Sequence, residues 1–126
     1  MANPNIVSVT NIYGNTSVTS LTTTSATEIV SNAASSGKVY KINSLIVSNV
    51  DGTSAADITI SLYSEDDIGG TATEIVSTVS VPADASLVVI DKNTAIYLLE
   101  DRSIGATAGT ADDLKVVASW EEIDAS

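Results

Sequence analysis

The stretch that most constrains this chain is residues 38–50, KVYKINSLIVSNV, the longest run with strand character in the sequence. Val, Ile, Leu and Tyr alternate loosely with Asn and Ser, and Gly37 and Gly52 bracket the run, which is the composition of a pleated, half-buried surface. It leads through Asp51-Gly52 into a second apolar run, residues 56–63, so the spacing predicts a central strand and a hairpin. A one-residue slip in pairing moves every side chain to the other face, so register fixes the loop length. A two-residue loop would set Ile46 against Asp57 and Ile42 against Ser61. One more residue pairs Ile46 with Ile58, Ser44 with Ile60 and Ile42 with Leu62, gathering the apolar side chains on one face. The expectation is an odd-length loop centred on Gly52, with the glycine supplying a positive φ.

The rest of the chain reads the same way. Residues 6–13 predict a strand, Gly14-Asn15 a turn, and residues 17–23 a second strand so dense in Ser and Thr that it suits an edge or a partner-contacting arm. Further strands are expected at 26–33, at 71–83 (one long bent strand or a pair, ended by Pro82), at 86–90, at 96–99, at 102–108 and at 114–123. A last hairpin with its loop at 109–113 would set Ala108 against Leu114, Ala106 against Val116, Ile104 against Ala118 and Arg102 against Trp120. The Arg102–Trp120 pair would make a cation–π contact that stabilises the sheet, or serve as an interface anchor. ATEIVS occurs at 26–31 and again at 72–77, each followed by an apolar SL run, an echo whose unequal spacing does not amount to a repeat architecture.

No segment holds apolar residues at helical spacing for three turns. The expected fold is therefore all-β, an antiparallel β-sandwich or jelly roll of about eight strands. At 126 residues the chain makes one domain, with residues 1–24 as an N-terminal strand or arm and 25–126 as the sandwich body. Phe is absent and aromatics are 4% of the chain, so the core must be built from Val, Ile, Leu and Ala. A core so thin implies stability shared with neighbouring subunits, that is, a homo-oligomer or a supporting surface.

Sixteen acidic against five basic residues, a net charge of −11, speak against a nucleic-acid partner and against an anionic membrane. Without Cys or His the chain has no disulfide, no thiolate zinc site and no His-activated nucleophile. MANPNIVSVT lacks the features of a secretory signal, so synthesis in the cytoplasm is expected. Glu65, Asp66 and Asp67 offer carboxylates to calcium, yet they lack alternating ligand spacing, so a solvated loop is expected and no metal or other cofactor. Asp51, Asp91, Glu100, Asp101, Asp112 and Asp113 sit where turn geometry wants Asp. No phosphate-cradling loop is present, and the chain is expected not to be an enzyme.

MANPNIVSVTNIYG, KINSLIVSNVDGTSAADITISLY, VSVPADASLVVIDKNTAIYLLEDRSI and LKVVASWEEI together resemble the small virion structural proteins of tailed phages that infect marine cyanobacteria. The resemblance covers nearly the whole length and implies a particle component, first of all a head decoration or cement protein bound to the major capsid protein on the capsid exterior. A neck, tail or fibre-associated ring subunit is the alternative the same resemblance allows, with other virion proteins as partners. It carries no catalytic motif and so transfers no functional residues. A carbohydrate-binding sandwich is the competing class, and its mark would be a planar row formed by some of Tyr13, Tyr40, Tyr63, Tyr97 and Trp120. The expected interface is the polar segment 3–23, through Ile6, Val7, Val9, Ile12 and Tyr13, with Arg102 and Trp120 as a second patch.

Overall fold

Alternation of aliphatic residues with Ser, Thr and Asn resolves into nine strands in the computed structural model, which describes residues 5–124. They are β1 (Asn11–Ser20), β2 (Thr27–Asn32), β3 (Lys38–Asn49), β4 (Ala56–Tyr63), β5 (Ala72–Val81), β6 (Ser86–Ile90), β7 (Ile96–Leu98), β8 (Arg102–Ala108) and β9 (Leu114–Asp124). A single 3-10 turn, Lys92–Thr94, separates β6 from β7, and the Asp91 carboxylate caps it by accepting from the Asn93 amide at 2.9 Å. Two antiparallel sheets face each other as a β-sandwich: β1-β9-β3-β6 with β7 also beside β3, and β2-β8-β4-β5.

The pairings are nested. β1 lies against β9, β2 against β8, β3 against β6 and β7, and β4 against β5, as in one long two-stranded ribbon whose tip is the loop at 64–70. Rolling that ribbon up adds the lateral pairs β3–β9 and β4–β8, and the result is the double Greek key of a jelly roll. Between the sheets lies a core of Leu, Ile, Val and Ala, among them Ile42, Leu45, Val47, Ile58, Ile60, Ile104 and Val116, all without solvent exposure. Ala106, Ala108 and Ala118 lie among these larger side chains, so the fully buried layer interdigitates without an aromatic, while Tyr40 and Trp120 pack against it partly buried.

Two buried asparagines lock the corners. Asn32 ends β2, and its Nδ2 donates to the Lys38 carbonyl at 2.9 Å and the Leu98 carbonyl at 3.1 Å, while its Oδ1 accepts from Ser36 Oγ. Asn49 ends β3, and its Nδ2 donates to the carbonyls of Ser54 and Val81, both at 2.9 Å, while its Oδ1 accepts from the Asp51 amide. Each carboxamide thus ties one sheet to the other beyond the last core layer, and neither leaves a buried polar group unpaired.

Three sequence expectations fail here for one reason. β3 and β4 do not pair: residues 50–55 carry the chain from one sheet to the other, so Ile46 faces Val88 and Val117 rather than Ile58. Gly52 is not in the positive-φ region, which Gly37 and Gly70 occupy instead. β8 and β9 likewise sit in different sheets, so Ile104, Ala106, Val116 and Ala118 meet across the core and Arg102 does not oppose Trp120. The two corners lie together, with the Val50 amide bonded to the Asp113 carbonyl at 2.8 Å. Nor is there a turn at Gly14-Asn15: the strand runs straight through it, in unbroken register with β9. The expected bent strand at 71–83 is β5, bulged twice against β4 and ended before Pro82.

Removing a donor that bridges the sheets should be felt globally. Asn49→Ala and Asn32→Ala should each cost about 1–3 kcal/mol for every carbonyl left unpaired. In thermal melts followed by circular dichroism, Asn49→Asp should fare no better than Asn49→Ala, because the bridging bonds are donated by Nδ2 and a carboxylate cannot make them.

Candidate interaction surface

The outer face of the β1-β9-β3-β6 sheet is built in transverse rows. Register places Val18, Val117, Ile46 and Val88 side by side across four strands, all pointing away from the core. Val18 is 70% exposed and Val88 56%, so this aliphatic row is open at both margins of the sheet. Polar rows flank it. On one side Ser20, Lys115, Ser48 and Ser86 follow one another, with Lys115 Nζ donating to Ser20 Oγ at 2.9 Å. On the other stand Thr16, Ser119 and Ser44, with Thr16 Oγ1 donating to Ser119 Oγ at 3.2 Å, and then Gly14, Glu121, Lys41 and Tyr97. Ile12, Ile123 and Val39 form a second aliphatic row at the end where Thr10 N bonds the Asp124 carbonyl, but there Ile123 and Val39 are buried and only Ile12 is exposed. A shallow open groove of about 500 Å³ lies beside β6 on this face, floored by Ile46, Val88 and Ile90 and rimmed by Lys41, Lys92 and Glu121.

The opposite sheet presents a different surface. Its outward strand positions include Glu28, Asp57 and Glu74, and the acidic loop folds back over it. Gly105 makes room for that loop: a Cβ there would stand 2.8 Å from a Tyr63 ring carbon and 2.9 Å from Ile68 Cγ2. The Ile68 amide donates to Ser103 Oγ, the Asp67 amide to Ser31 Oγ and the Asp66 amide to Asp101 Oδ1, while Asp66 Oδ2 accepts from the Ala34 amide. Of the loop carboxylates, Asp66 accepts from the Ala34 amide and Asp67 hydrogen-bonds Glu28, and among the described residues no group of three acids is disposed to hold a metal ion. Asp67, Asp84, Asp101 and Asp112 all adopt positive φ, which explains acids in these turns without chemistry.

The expected interface residues separate into two places. Ile12 and Tyr13 lie on β1 and are more than half exposed; Ile6 and Val7 precede it in a turn and are exposed, and Val9 is half-buried. Asn3 and Pro4 of the expected segment lie outside the described residues. Arg102 and Trp120 form no patch. Arg102 Nη1 donates to the carbonyls of Ser64 at 2.9 Å and Asp101 at 2.8 Å, securing the base of the acidic loop. Trp120 stacks on Tyr40 against the core, ring centroids 6.2 Å apart and 25° between planes, and burial there pushes the Tyr40 phenol up. With Tyr63 over Gly105, and Tyr13 and Tyr97 on opposite margins of the other sheet, the aromatics make no planar row.

No protein-family model matches the chain, and no curated protein matches it. In fold it is similar to a chain from the Bacillus endospore appendages described as a family of disulfide-linked pili, with TM-score 0.50 and 18% identity over 91% of this chain and 89% of that one. It is also similar to a chain of infectious bursal disease virus, Gx strain, with TM-score 0.46 and 11% identity over 93% of this chain but 32% of the viral one. At such identities the likeness is one of fold, and this chain has no cysteine with which to make a disulfide link.

Glu28 gives the loop a measurable pH dependence. Burial against the loop, then the hydrogen bond and negative charge of Asp67, raise its carboxyl above the usual 4.5. The stabilisation from the shared proton is complete below pH 4.5 and is lost as pH rises through the folded-state value. Glu28→Gln, neutral throughout, should melt above the parent at pH 7, and the difference should close below pH 4.5.

Proposed function

We propose that this chain is a non-catalytic structural subunit of a virion, a decoration protein seated on the outside of a tailed-phage head. The observation that supports this best is the two-sidedness of the sandwich. One sheet exposes an aliphatic row and, on its outward strand positions, the charges Lys41, Lys115 and Glu121; the other is faced by Glu28, Asp57, Glu74 and the acidic loop. A module that rests one face on a shell and turns carboxylates to solvent has this distribution. The resemblance of its sequence to small virion proteins of cyanobacterial phages supports the same reading, and a chain of like fold is described as belonging to pili. Individually weak contacts suffice, because many copies bridging adjacent capsomers act together.

The test is addition of the purified protein to expanded phage heads lacking their own decoration. Saturable binding that raises the temperature at which heads rupture is expected; absence of binding, with cryo-EM density at the neck or tail instead, would move the protein to the alternative position. Deleting residues 2–12 should leave the β-sheet circular dichroism intact and abolish binding, and undiminished incorporation of the deleted form would dismiss the N-terminal interface.

A further inference from the structure

We propose that two copies of this chain join edge to edge through β1, each β1 pairing antiparallel with that of its partner so that two sheets become one. This goes beyond a seat on a capsid and holds wherever the protein resides. Natural sheets guard their edges with short strands, bulges, prolines or charges. Three edge strands here are guarded. β2 is bulged between Glu28 and Val30, β5 is bulged twice and carries Thr78 at φ 49°, and β6 is five residues long with a register shift against β3. β1 is not guarded. It spans ten residues, NIYGNTSVTS, without proline, charge or bulge, paired to β9 on one side, and among the described residues no further backbone bond reaches it.

Charge identifies the occupant. The chain carries no Asp, Glu, Lys or Arg before Glu28, so all sixteen acids and five bases lie in the remainder. With a net charge of −11, two copies repel one another over most of their surfaces, whereas β1 can lie beside itself with no like charges opposed. At Gly14 even a Cβ would meet nothing within 4 Å, so this part of the strand lies open to a neighbour. The aliphatic row reaches this edge at Val18, its most exposed member, and would continue into the second copy.

Sedimentation of the full chain over a range of concentrations should reveal a reversible monomer–dimer equilibrium. Val18→Lys should weaken it roughly tenfold or more, since an edge lysine opposes strand pairing. Val88→Lys, at the other margin of the same row, should leave it unchanged. A chain that stays monomeric at the highest concentration, or one that Val88→Lys weakens as much as Val18→Lys, overturns the proposal. Because the chain has no cysteine, single-cysteine variants along β1 provide a second reading: oxidation should crosslink those nearest the two-fold axis, and Thr73→Cys on β5 should not crosslink. Crosslinking through β5 but not β1 would likewise overturn it.

Discussion

Two carboxamides hold the sandwich closed. A core of Leu, Ile, Val and Ala is cohesive but has little directional preference, and sheets facing each other across such a core can slide. Asn32 and Asn49 supply the direction, since each donates to carbonyls of neighbouring segments that belong to the other sheet or to the corner leading there. With the corner carbonyls engaged, the strands that follow are committed to cross, and the nesting of β1 to β9 around the ribbon tip follows.

The surface takes its character from where charge is placed. Carboxylates concentrate in turns, where several adopt positive φ or cap backbone amides, and over the β2-β8-β4-β5 sheet. The opposite sheet, whose margin is the uncharged N-terminal strand, keeps its aliphatic row. Cohesion on one side and repulsion on the other are the distribution that would orient any association of so acidic a protein.

Strand identity was legible in the sequence; strand partnership was not. Arg102–Ala108 forms a strand with the bounds its residues predict, and the run at 38–50 is central as its composition requires. Asp51-Gly52 and the loop at 109–113 have hairpin chemistry, but a corner between sheets uses the same residues, and only the asparagine just before the first of them distinguishes the two. That signal was present: IVSN stands at 29–32 and again at 46–49, each time ending a strand at a corner. The run without acidic or basic residues ahead of Glu28 was equally visible and marks the unguarded edge better than its Ser and Thr content does. The pairing of Arg102 with Trp120 failed because it assumed a hairpin, whereas the arginine serves the loop beside it and the indole finds Tyr40.

The nested pairing also has a consequence for how this polypeptide is made. β1 leaves the ribosome before its partner β9, with the seven other strands made between them. Until β9 is made, β1 has no strand neighbour within its own chain, although β3 can already pair with β6 and β7. Closure of the β1–β9 pair therefore waits for the ninth strand, and in the interval β1 is an uncharged ribbon open on both edges.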